Sequence, residues 1–362
     1  MAQIFTIGPN RPPSSPIIVR REVFDPSWLP PSLPGREDLV SYLASLLEDP
    51  RDVTAVTGAA GSGKTATIRS IFGREELRPN YLTYYIDCSR ANTAYRAMYY
   101  LVRFAGVLVP PSGYPFDVFA ARFAEARPPD LGLVVLDQAE HIKDRGLPRI
   151  LEVLRETGVP VLVSGRENGF EADVSVALPP YSARELYNIL LQRARLGLRE
   201  GSWDDDALRL VAETTTREGG DARRAIDLLG KAAEIAEREG APRVTTDHAE
   251  RAIKFVDEEE VTYRIRLLPF HHRLILLAAA ELTIEGEERV TTGLVFRRYA
   301  EHARRHSLKP LTMRRVSGVL RELEAQGLME LEMSYGGARG NTKVVKGFPI
   351  QPERIVAVVR GE

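Results

Sequence analysis

In the first half of the chain, short apolar runs alternate with longer segments in which apolar residues recur at helical spacing. Four of the runs have the length of buried strands, and they lie at 52–57, 81–87, 131–137 and 159–164. A proline-containing extended arm over 23–34 precedes a predicted amphipathic helix at 35–47. Because alternating strands and helices build parallel sheets with helices on both faces, the pattern predicts an α/β core around a parallel sheet.

The pattern changes at Ser182, where the strand-like runs stop. Ser182 followed by Glu185 is a capping-box signal for a helix that extends to Ala194. Three more helices are predicted at 204–216, 221–238 and 246–257, followed by a polar linker at 258–263. The last hundred residues predict three helices and then two strands, at 269–282, 291–306, 312–326, 328–334 and 342–348. Three helices and a hairpin describe a winged helix-turn-helix.

A chain of 362 residues exceeds the size at which a single hydrophobic core usually stops growing. We therefore expect several domains. Their predicted order is a mobile N-terminal arm at 1–17, an α/β core at 18–180, an all-α lid at 181–260 and a winged-helix domain at 261–362.

A phosphate-binding loop lies between the first predicted strand and the helix that follows it. Residues 58–65 read Gly-Ala-Ala-Gly-Ser-Gly-Lys-Thr, which fits the pattern G-x-x-x-x-G-K-[ST]. Its glycines let backbone N–H groups face phosphate oxygens, Lys64 can reach the β- and γ-phosphates, and Thr65 can hold Mg²⁺. The predicted contacts of ATP or ADP in this segment are Gly58, Gly61, Ser62, Gly63, Lys64, Thr65 and Ala66.

Asp137 ends the third apolar strand, as expected of an acid that holds Mg²⁺ directly or through water. Many ATPases of this architecture place a glutamate directly after it to orient the attacking water, and here that position is Gln138. Glu140 is the nearest spare carboxylate. The sequence allows it either to face the site as a catalytic residue or to be a solvated helix residue.

Further polar residues are candidate sensors of a γ-phosphate. After the fourth strand these are Ser164, Arg166 and Asn168, of which Arg166 fits a surface role equally well. Asp221 is a plausible N-cap of a lid helix. Arg223, in the first turn of that helix, could reach across to the nucleotide. An ordinary surface position is the alternative for Arg223.

The charge of the chain is distributed unevenly. Residues 263–362 carry 17 Lys and Arg against 11 Asp and Glu, a net of +6, whereas the rest of the chain has a net of −7. In the predicted helix at 312–326, one face is apolar and the other is basic with small residues at its centre. This arrangement predicts duplex DNA binding, with a protein-binding winged helix as the alternative. The candidate DNA contacts are Arg314, Arg315, Ser317, Arg321, Arg339 on a glycine-rich hairpin tip, and Lys343.

The single cysteine, Cys88, excludes an internal disulfide framework. No apolar run reaches the ~18 residues of a membrane span, and no signal peptide is visible at the start. We therefore expect a cytoplasmic protein that has no membrane partner, and the predicted DNA binding implies that it is nucleoid-associated.

Taken together, these motifs resemble those of the archaeal replication initiators related to the origin recognition complex and to the cell-division-cycle helicase loaders. Members of this family are AAA+ ATPases with a C-terminal winged helix. The resemblance covers roughly residues 20–350 and is carried by the segments 33–37, 58–65, 179–181, 220–223, 311–317 and 323–328. It implies that Tyr181 and Arg193 join the nucleotide site from the lid, that Arg223 is the sensor-2 arginine, and that residues 100–117 form an insertion that touches DNA.

The resemblance also implies a function. The chain would bind double-stranded DNA at a replication origin, act with other initiator copies or paralogues, and help to recruit the replicative helicase. Gln138 departs from the family pattern, and the short segment 170–178 leaves no position for an arginine finger. We therefore expect slow ATP hydrolysis, with nucleotide acting mainly as a conformational switch. The alternatives are a transcriptional regulator or signalling ATPase with the same modules, and a metabolic P-loop kinase, which would leave the winged helix unused.

Overall fold

The first half of the chain folds around a parallel sheet of five strands. The computed structural model describes residues 16–143, 145–166, 171–337 and 340–361. The strands are β1 (Val53–Gly58), β2 (Leu82–Asp87), β3 (Leu131–Asp137), β4 (Val161–Gly165) and β5 (Val174–Leu178). They lie side by side in the order β2-β3-β4-β1-β5, and every neighbouring pair is parallel. The loop that follows β1 therefore emerges at the same edge of the sheet as the ends of β3 and β4.

The four predicted strands are confirmed, but β5 was not predicted. Only Val176 and Leu178 of this strand are buried, while Ser175 and Ala177 are exposed. A five-residue edge strand with alternating small residues gives a weak periodic signal, because it needs only one apolar face. β5 pairs with β1 and completes the sheet on that side.

Helices cover both faces of the sheet, and β3 shows this residue by residue. The helices of this region are α1 (Glu37–Leu46), α2 (Lys64–Gly73), α3 (Ala94–Phe104), α4 (Phe116–Ala126) and α5 (Gly146–Glu156). Leu133 and Val135 belong to the apolar cluster that includes residues of α1 and α2. Val134 and Leu136 belong to the cluster that includes residues of α3, α4 and α5. Since side chains alternate along a strand, Asp137 falls on the same face as Leu133 and Val135.

The all-α lid that was predicted after the sheet is confirmed. Its helices are α6 (Ala183–Gly197), α7 (Asp205–Arg217), α8 (Ala222–Arg238) and the start of α9 (Thr246–Leu267). The capping box at the start of α6 is present. The backbone N–H of Glu185 donates to Ser182 Oγ at 3.3 Å, and the backbone N–H of Ser182 donates to Glu185 Oε2 at 2.8 Å.

The N-terminal arm packs against the lid. Of the segment predicted to be mobile, residues 16 and 17 are described, and Ile17 is buried with 1% exposure. The backbone N–H groups of Val19 and Arg199 donate to the carbonyl oxygens of Gly197 and Ile17, at 2.8 and 2.9 Å. The C-terminal end of the predicted mobile segment is therefore fixed to the end of α6.

The polar segment at 258–263 is helical, so its prediction as a linker was wrong. It lies inside α9, which runs over 22 residues. Val261 and Ile265 are buried in the apolar cluster of the C-terminal unit, and this packing explains why a charge-rich segment continues the helix. The compact units of the chain divide between Ala252 and Ile253, whereas the predicted boundary at 260/261 falls within the helix.

The C-terminal unit has the predicted winged helix-turn-helix. Its further elements are α10 (Phe270–Ile284), α11 (Thr292–Arg305), α12 (Met313–Ala325), β6 (Glu330–Gly337), β7 (Gly340–Gly347) and α13 (Pro352–Arg360). β6 and β7 form an antiparallel hairpin, and α13 was not predicted. The fully buried Tyr299 ties the unit together, since its hydroxyl lies 2.8 Å from His271 Nδ1 and accepts from the backbone N–H of Leu311 at 3.0 Å. None of the described helices is both long enough and apolar enough to cross a membrane.

The packing of α9 predicts where an independent C-terminal fragment must begin. A fragment 253–362 is expected to be more stable than 263–362, because the longer one keeps Val261, which is 5% exposed. Burying a valine side chain contributes roughly 1.5–3 kcal/mol. Urea unfolding of the two fragments measures the difference, and Val261→Ala in the longer fragment should remove much of it. Equal unfolding free energies would contradict the assignment of this helical turn to the C-terminal core.

Candidate nucleotide site and nucleic-acid interface

The loop between β1 and α2 forms a narrow backbone cradle in which two glycines are required. Gly61 and Gly63 have φ angles of 70° and 95°, in the left-handed region that other residues rarely adopt. A β-carbon at Gly61 would overlap the carboxylate of Asp221, and one at Gly63 would lie 2.5 Å from the hydroxyl of Tyr181. The loop is therefore packed directly against residues that precede and begin the lid helices.

Lys64 lies at the start of α2 and turns back into the loop. Its Nζ donates to the carbonyl oxygens of Gly58 and Ala59, both at 2.8 Å, and the residue is 6% exposed. Burial lowers the pKa of the Lys64 ammonium, and the nearby Glu140 carboxylate opposes this shift. A phosphate group would supply the negative charge that this desolvated ammonium lacks.

Asp137 is a fully buried carboxylate that accepts hydrogen bonds from three hydroxyl groups. Its Oδ1 accepts from Thr65 Oγ1 at 3.2 Å and from the Ser164 hydroxyl. Its Oδ2 accepts from the Tyr85 hydroxyl at 2.5 Å. Burial and the charge of Asp137 raise the pKa of Tyr85. Thr65 and Asp137 thus bring a hydroxyl and a carboxylate together, and these hard oxygen donors fit Mg²⁺.

The structure places Gln138 in the site and Glu140 outside it. The backbone N–H of Gln138 donates to Ser164 Oγ at 3.0 Å, its φ is 59°, and it lines the cleft described below. Glu140 is exposed and does not belong to the described lining of that cleft. This position fits the solvated alternative. The Glu140 carboxylate still acts on the phosphate loop, since its charge raises the pKa of Lys64 against the effect of burial.

The fourth strand supplies Ser164, which the sequence named as one of three sensor candidates. Ser164 is fully buried against Asp137. Arg166 is exposed, and Asn168 lies outside the described residues.

A cleft of about 860 Å³ opens over the phosphate loop. Its lining includes Lys64, Thr65, Ala66, Gln138 and Arg223 together with apolar residues of the arm and the lid: Trp28, Leu29, Pro30, Leu33, Ile189 and Ile226. Sites for small molecules commonly combine an apolar wall with a few convergent polar groups. The wall formed by the arm was not predicted from the sequence. The proline-rich segment around a tryptophan was its only signal there.

Tyr181 and Arg193 both line the cleft, as the family resemblance implied. Tyr181 is 4% exposed. The guanidinium of Arg193 donates to the carbonyl oxygens of Val23 and Trp28, at 2.6 and 3.1 Å, and lies 4.7 Å from the centre of the Trp28 ring. Burial lowers the pKa of Arg193 to about 10. Arg193 therefore fixes the arm that forms one wall of the cleft, and a direct contact with nucleotide stays a prediction.

Arg36 joins the phosphate loop to the lid. The residue is 2% exposed, and its guanidinium lies 3.8 Å from the centre of the Tyr181 ring. It donates to the carbonyl oxygens of Ser62 and Pro179, at 3.2 and 2.5 Å, and to Glu185 Oε1 at 3.3 Å. In the sequence, Arg36 stands out only as part of a family motif and of a predicted helix start, because no local pattern reveals contacts with residues up to 149 positions away.

The first turn of α8 also touches the loop. The backbone N–H of Ala222 donates to the carbonyl oxygen of Gly61 at 3.2 Å. Asp221 caps the helix, since its Oδ1 accepts from the backbone N–H of Arg223 at 2.8 Å. Arg223 is exposed and its side chain lines the cleft, so the predicted sensor arginine is within the site.

In the C-terminal unit, α12 has the two faces that the sequence predicted. Val316, Val319, Leu320 and Leu323 are at most 1% exposed. On the other face Arg314 and Arg321 are exposed and Ser317 is half-buried. Neither arginine has an acidic partner within the part of the chain that the structure describes. Two free guanidinium groups therefore project from one exposed helix face.

Two other predicted DNA contacts have internal partners. Arg315 Nη1 donates to Glu322 Oε1 at 2.6 Å, and the other oxygen of Glu322 lies 2.8 Å from His272 Nε2. These two partners lower the pKa of the Glu322 carboxyl, His272 having the larger effect. Lys343 Nζ lies 3.7 Å from Glu324 Oε2. Both basic side chains are thus oriented by neighbouring acids, and Arg339 lies outside the described residues.

The stretch predicted to touch DNA, residues 100–117, covers the end of α3, the segment between α3 and α4, and the start of α4. It is irregular from Ala105 to Pro115, Leu108 is 84% exposed, and Arg103 at the end of α3 is exposed as well. Its contact with DNA stays a prediction.

Family models match three consecutive parts of the chain. An AAA domain matches residues 47–172, a Cdc6 AAA+ ATPase-type lid domain matches 187–254, and a CDC6 C-terminal winged helix domain matches 263–357. These matches follow the order of elements described above.

Relatives extend over nearly the whole chain. An ORC1-type DNA replication protein of Thermococcus onnurineus is 33% identical over 95% of this chain and 91% of its own length. An ORC1-type DNA replication protein 1 of Archaeoglobus fulgidus is 31% identical over 92% of this chain and 88% of its own. The structure of the Aeropyrum pernix ORC1 protein in complex with DNA has a TM-score of 0.75, at 29% identity, over 96% of this chain and 97% of that one.

The position of Arg36 predicts a large effect for a conservative substitution. Arg36→Lys keeps the charge. A lysine cannot donate to the Ser62 carbonyl, the Pro179 carbonyl and Glu185 at once, because it lacks the planar fork of donors. Hydrogen bonds of charged groups contribute roughly 1.5–3 kcal/mol each. We expect the free energy of unfolding to fall by about 3 kcal/mol, measured by urea denaturation.

Arg74→Lys is the matched control, since Arg74 is half-buried and its side chain has one described hydrogen bond, to the Pro31 carbonyl oxygen. Substitutions at such positions usually change stability by less than about 0.5 kcal/mol. If Arg36→Lys were as stable as this control, the hydrogen bonds of Arg36 to the phosphate loop, Pro179 and α6 would not stabilise the fold.

Proposed function

The chain belongs to the family of ORC1-type DNA replication proteins, and we propose that it is an ATP-binding replication initiator. In this proposal it recognises duplex DNA at replication origins, acts with other initiator copies or paralogues, and helps to recruit the replicative helicase. The observation that carries the proposal is the presence of two sites in one chain. One is a phosphate loop packed against a lid, and the other is a winged helix whose α12 exposes arginines.

Nucleotide binding is the property of the AAA+ core, and we propose ATP and ADP as its ligands. The desolvated Lys64 ammonium supports a polyphosphate, and the apolar wall around Trp28 supports a base. The N-terminus of α2 adds the partial positive charge that favours anions. The candidate contacts are those listed from the loop, with Tyr181, Arg193 and Arg223 from the lid side.

Thr65 and Asp137 would hold Mg²⁺ in the nucleotide complex. The ion would neutralise charge on the phosphates when bound. Ser164 keeps the Asp137 carboxylate in place through its hydroxyl. Its own oxygen accepts from the Gln138 backbone, so its proton is directed at Asp137.

We propose that the chain hydrolyses ATP slowly and uses nucleotide as a conformational switch. Gln138 can orient a water molecule by hydrogen bonds but cannot accept its proton. The contact between the Gly61 carbonyl and the Ala222 backbone offers a direct route from the loop to α8. A phosphate held between Lys64 and Arg223 would strengthen this contact, so nucleotide would bias the position of the lid.

For DNA, we propose that α12 enters the major groove. Its exposed face carries Arg314 and Arg321, and Gly318 leaves room for a close approach. Arg315 and Lys343, held by Glu322 and Glu324, would meet the phosphate backbone from fixed positions. The relative from Aeropyrum pernix was solved with DNA, which supports this use of the fold.

Substitutions on α12 test the DNA proposal in the full-length protein. Arg314→Ala or Arg321→Ala should weaken binding to an origin duplex by ~1–3 kcal/mol if the side chain reads a base. Fluorescence anisotropy at several salt concentrations measures the affinity and its salt slope. Arg354→Ala, an exposed arginine on α13, is the control. If Arg314→Ala and Arg321→Ala lost no more DNA affinity than Arg354→Ala, α12 would not be part of the DNA interface.

The genomic sites bound by the protein separate the initiator proposal from its runner-up. Footprinting should show protection of repeated elements at an origin. Protection confined to promoters would instead make the chain a transcriptional regulator.

The hydrolysis proposal is tested at Gln138. Gln138→Glu should raise single-turnover hydrolysis of ATP by ~10²-fold or more, because a placed base contributes this much. Lys64→Ala, which loses its phosphate contact, serves as the negative control. Glu140→Gln should leave the rate unchanged if Glu140 is a solvated residue. The proposal fails if the wild-type protein hydrolyses ATP rapidly, if Glu140→Gln has the same rate, and if Gln138→Glu does not increase that rate.

A further inference from the structure

The carboxylate of Asp137 is already hydrogen-bonded on both of its oxygens by the protein itself. Ser164 and Thr65 donate to Oδ1, and Tyr85 donates to Oδ2 at 2.5 Å. Ser164 and Thr65 belong to the expected site, since Ser164 lies near the end of β4 and Thr65 is the last residue of the phosphate-loop motif. Tyr85 has a different origin, because it comes from the middle of the edge strand β2. Its hydroxyl is the feature that the proposed function does not explain.

The strand register brings Tyr85 to this position. β2 pairs in parallel with β3, with Tyr85 opposite Val135 and Asp87 opposite Asp137. Tyr85 therefore lies on the same face of the sheet as Asp137, one diagonal position away. With strands ~4.8 Å apart and a rise of ~3.3 Å per residue, diagonal neighbours lie ~8 Å apart, which a tyrosine side chain spans. Tyr85 also lines the nucleotide cleft and is 37% exposed, so its ring can move without disturbing the core.

The two hydroxyls on Oδ1 and the one on Oδ2 differ in what a divalent cation would require of them. Thr65 can offer an oxygen lone pair to the cation while its proton stays on Asp137. Ser164 is held by the Gln138 backbone. Tyr85, by contrast, is the one described donor to Asp137 Oδ2. A cation that binds this oxygen, directly or through water, must displace or share the hydrogen bond from Tyr85.

We propose that Tyr85 is a positioning residue that competes with the divalent cation for Asp137 and weakens cation binding in the nucleotide complex. In the metal-free protein the phenol satisfies the buried carboxylate. When nucleotide and cation arrive, the phenol gives up Oδ2 and turns toward the cleft. This inference rests on the proposed nucleotide site, and it assigns the role of a metal-sensitive latch to a residue outside the phosphate loop.

The test compares ADP affinity with and without Mg²⁺, by calorimetry on the full chain. The ratio of the Kd in EDTA to the Kd in Mg²⁺ isolates the contribution of the cation. In Tyr85→Phe this ratio should rise about tenfold over the wild type, because one hydrogen bond to a charged group no longer opposes the cation. The affinity in EDTA should stay the same, since Tyr85 makes no predicted phosphate contact.

Thermal unfolding gives a second readout that does not depend on hydrolysis. Without metal, Tyr85→Phe should melt below the wild type, because Asp137 Oδ2 is left buried without this donor. Mg²⁺ together with ADP should raise its melting temperature by more than that of the wild type. Tyr84→Phe is the matched control. Tyr84 is the preceding residue on β2, and its ring stacks on Phe104 with centroids 4.0 Å apart.

The outcomes separate the two proposals. An increased ratio in Tyr85→Phe, with no change in Tyr84→Phe, supports the inference. If Tyr85→Phe binds ADP but its ratio of Kd in EDTA to Kd in Mg²⁺ equals or falls below that of the wild type, the inference about Tyr85 is wrong and the proposed nucleotide site still stands. If wild-type protein fails to bind ADP in either buffer, the proposed nucleotide site is wrong and the inference falls with it.

Discussion

A buried guanidinium group connects the parts of the N-terminal unit that must act together. Arg36 is withdrawn from water, which is unfavourable for a charged group unless its donors are satisfied. The backbone carbonyls of Ser62 and Pro179 and the carboxylate of Glu185 provide that satisfaction. These acceptors belong to the phosphate loop, to the end of the core and to the first lid helix. Any shift of one of them leaves a buried donor unpaired, so the three segments are coupled by the same side chain.

The strand order supplies the second constraint. Because β4 lies between β1 and β3, the carboxyl ends of these strands converge, and Thr65, Asp137 and Ser164 meet although they are far apart in the sequence. The sheet does the same for Tyr85 through the register of β2 with β3. The chemistry of the site is thus a consequence of parallel pairing, in which every strand ends at the same edge.

Sequence reasoning recovered the features that have local signals. The phosphate loop, the apolar strand before Asp137, the capping box at Ser182 and the two faces of α12 are all written in short stretches of sequence. It failed where a contact joins distant segments. Tyr85 reads as one more residue of a strand, Trp28 as part of a proline-rich arm, and Arg36 as the start of a helix, because their partners lie in other elements. The helical segment at 258–263 was misjudged for the same reason, since its stability comes from packing of Val261 and Ile265.

The contacts of Gly61 and Gly63 place a second steric requirement on the phosphate loop. The motif is usually explained by the need of backbone N–H groups to approach phosphate, yet here a β-carbon at either glycine would also strike Asp221 or Tyr181. A side chain at these positions would therefore push the lid away even in the absence of ligand. Glycine at these two positions therefore serves the packing of the lid as well as the chemistry of the ligand.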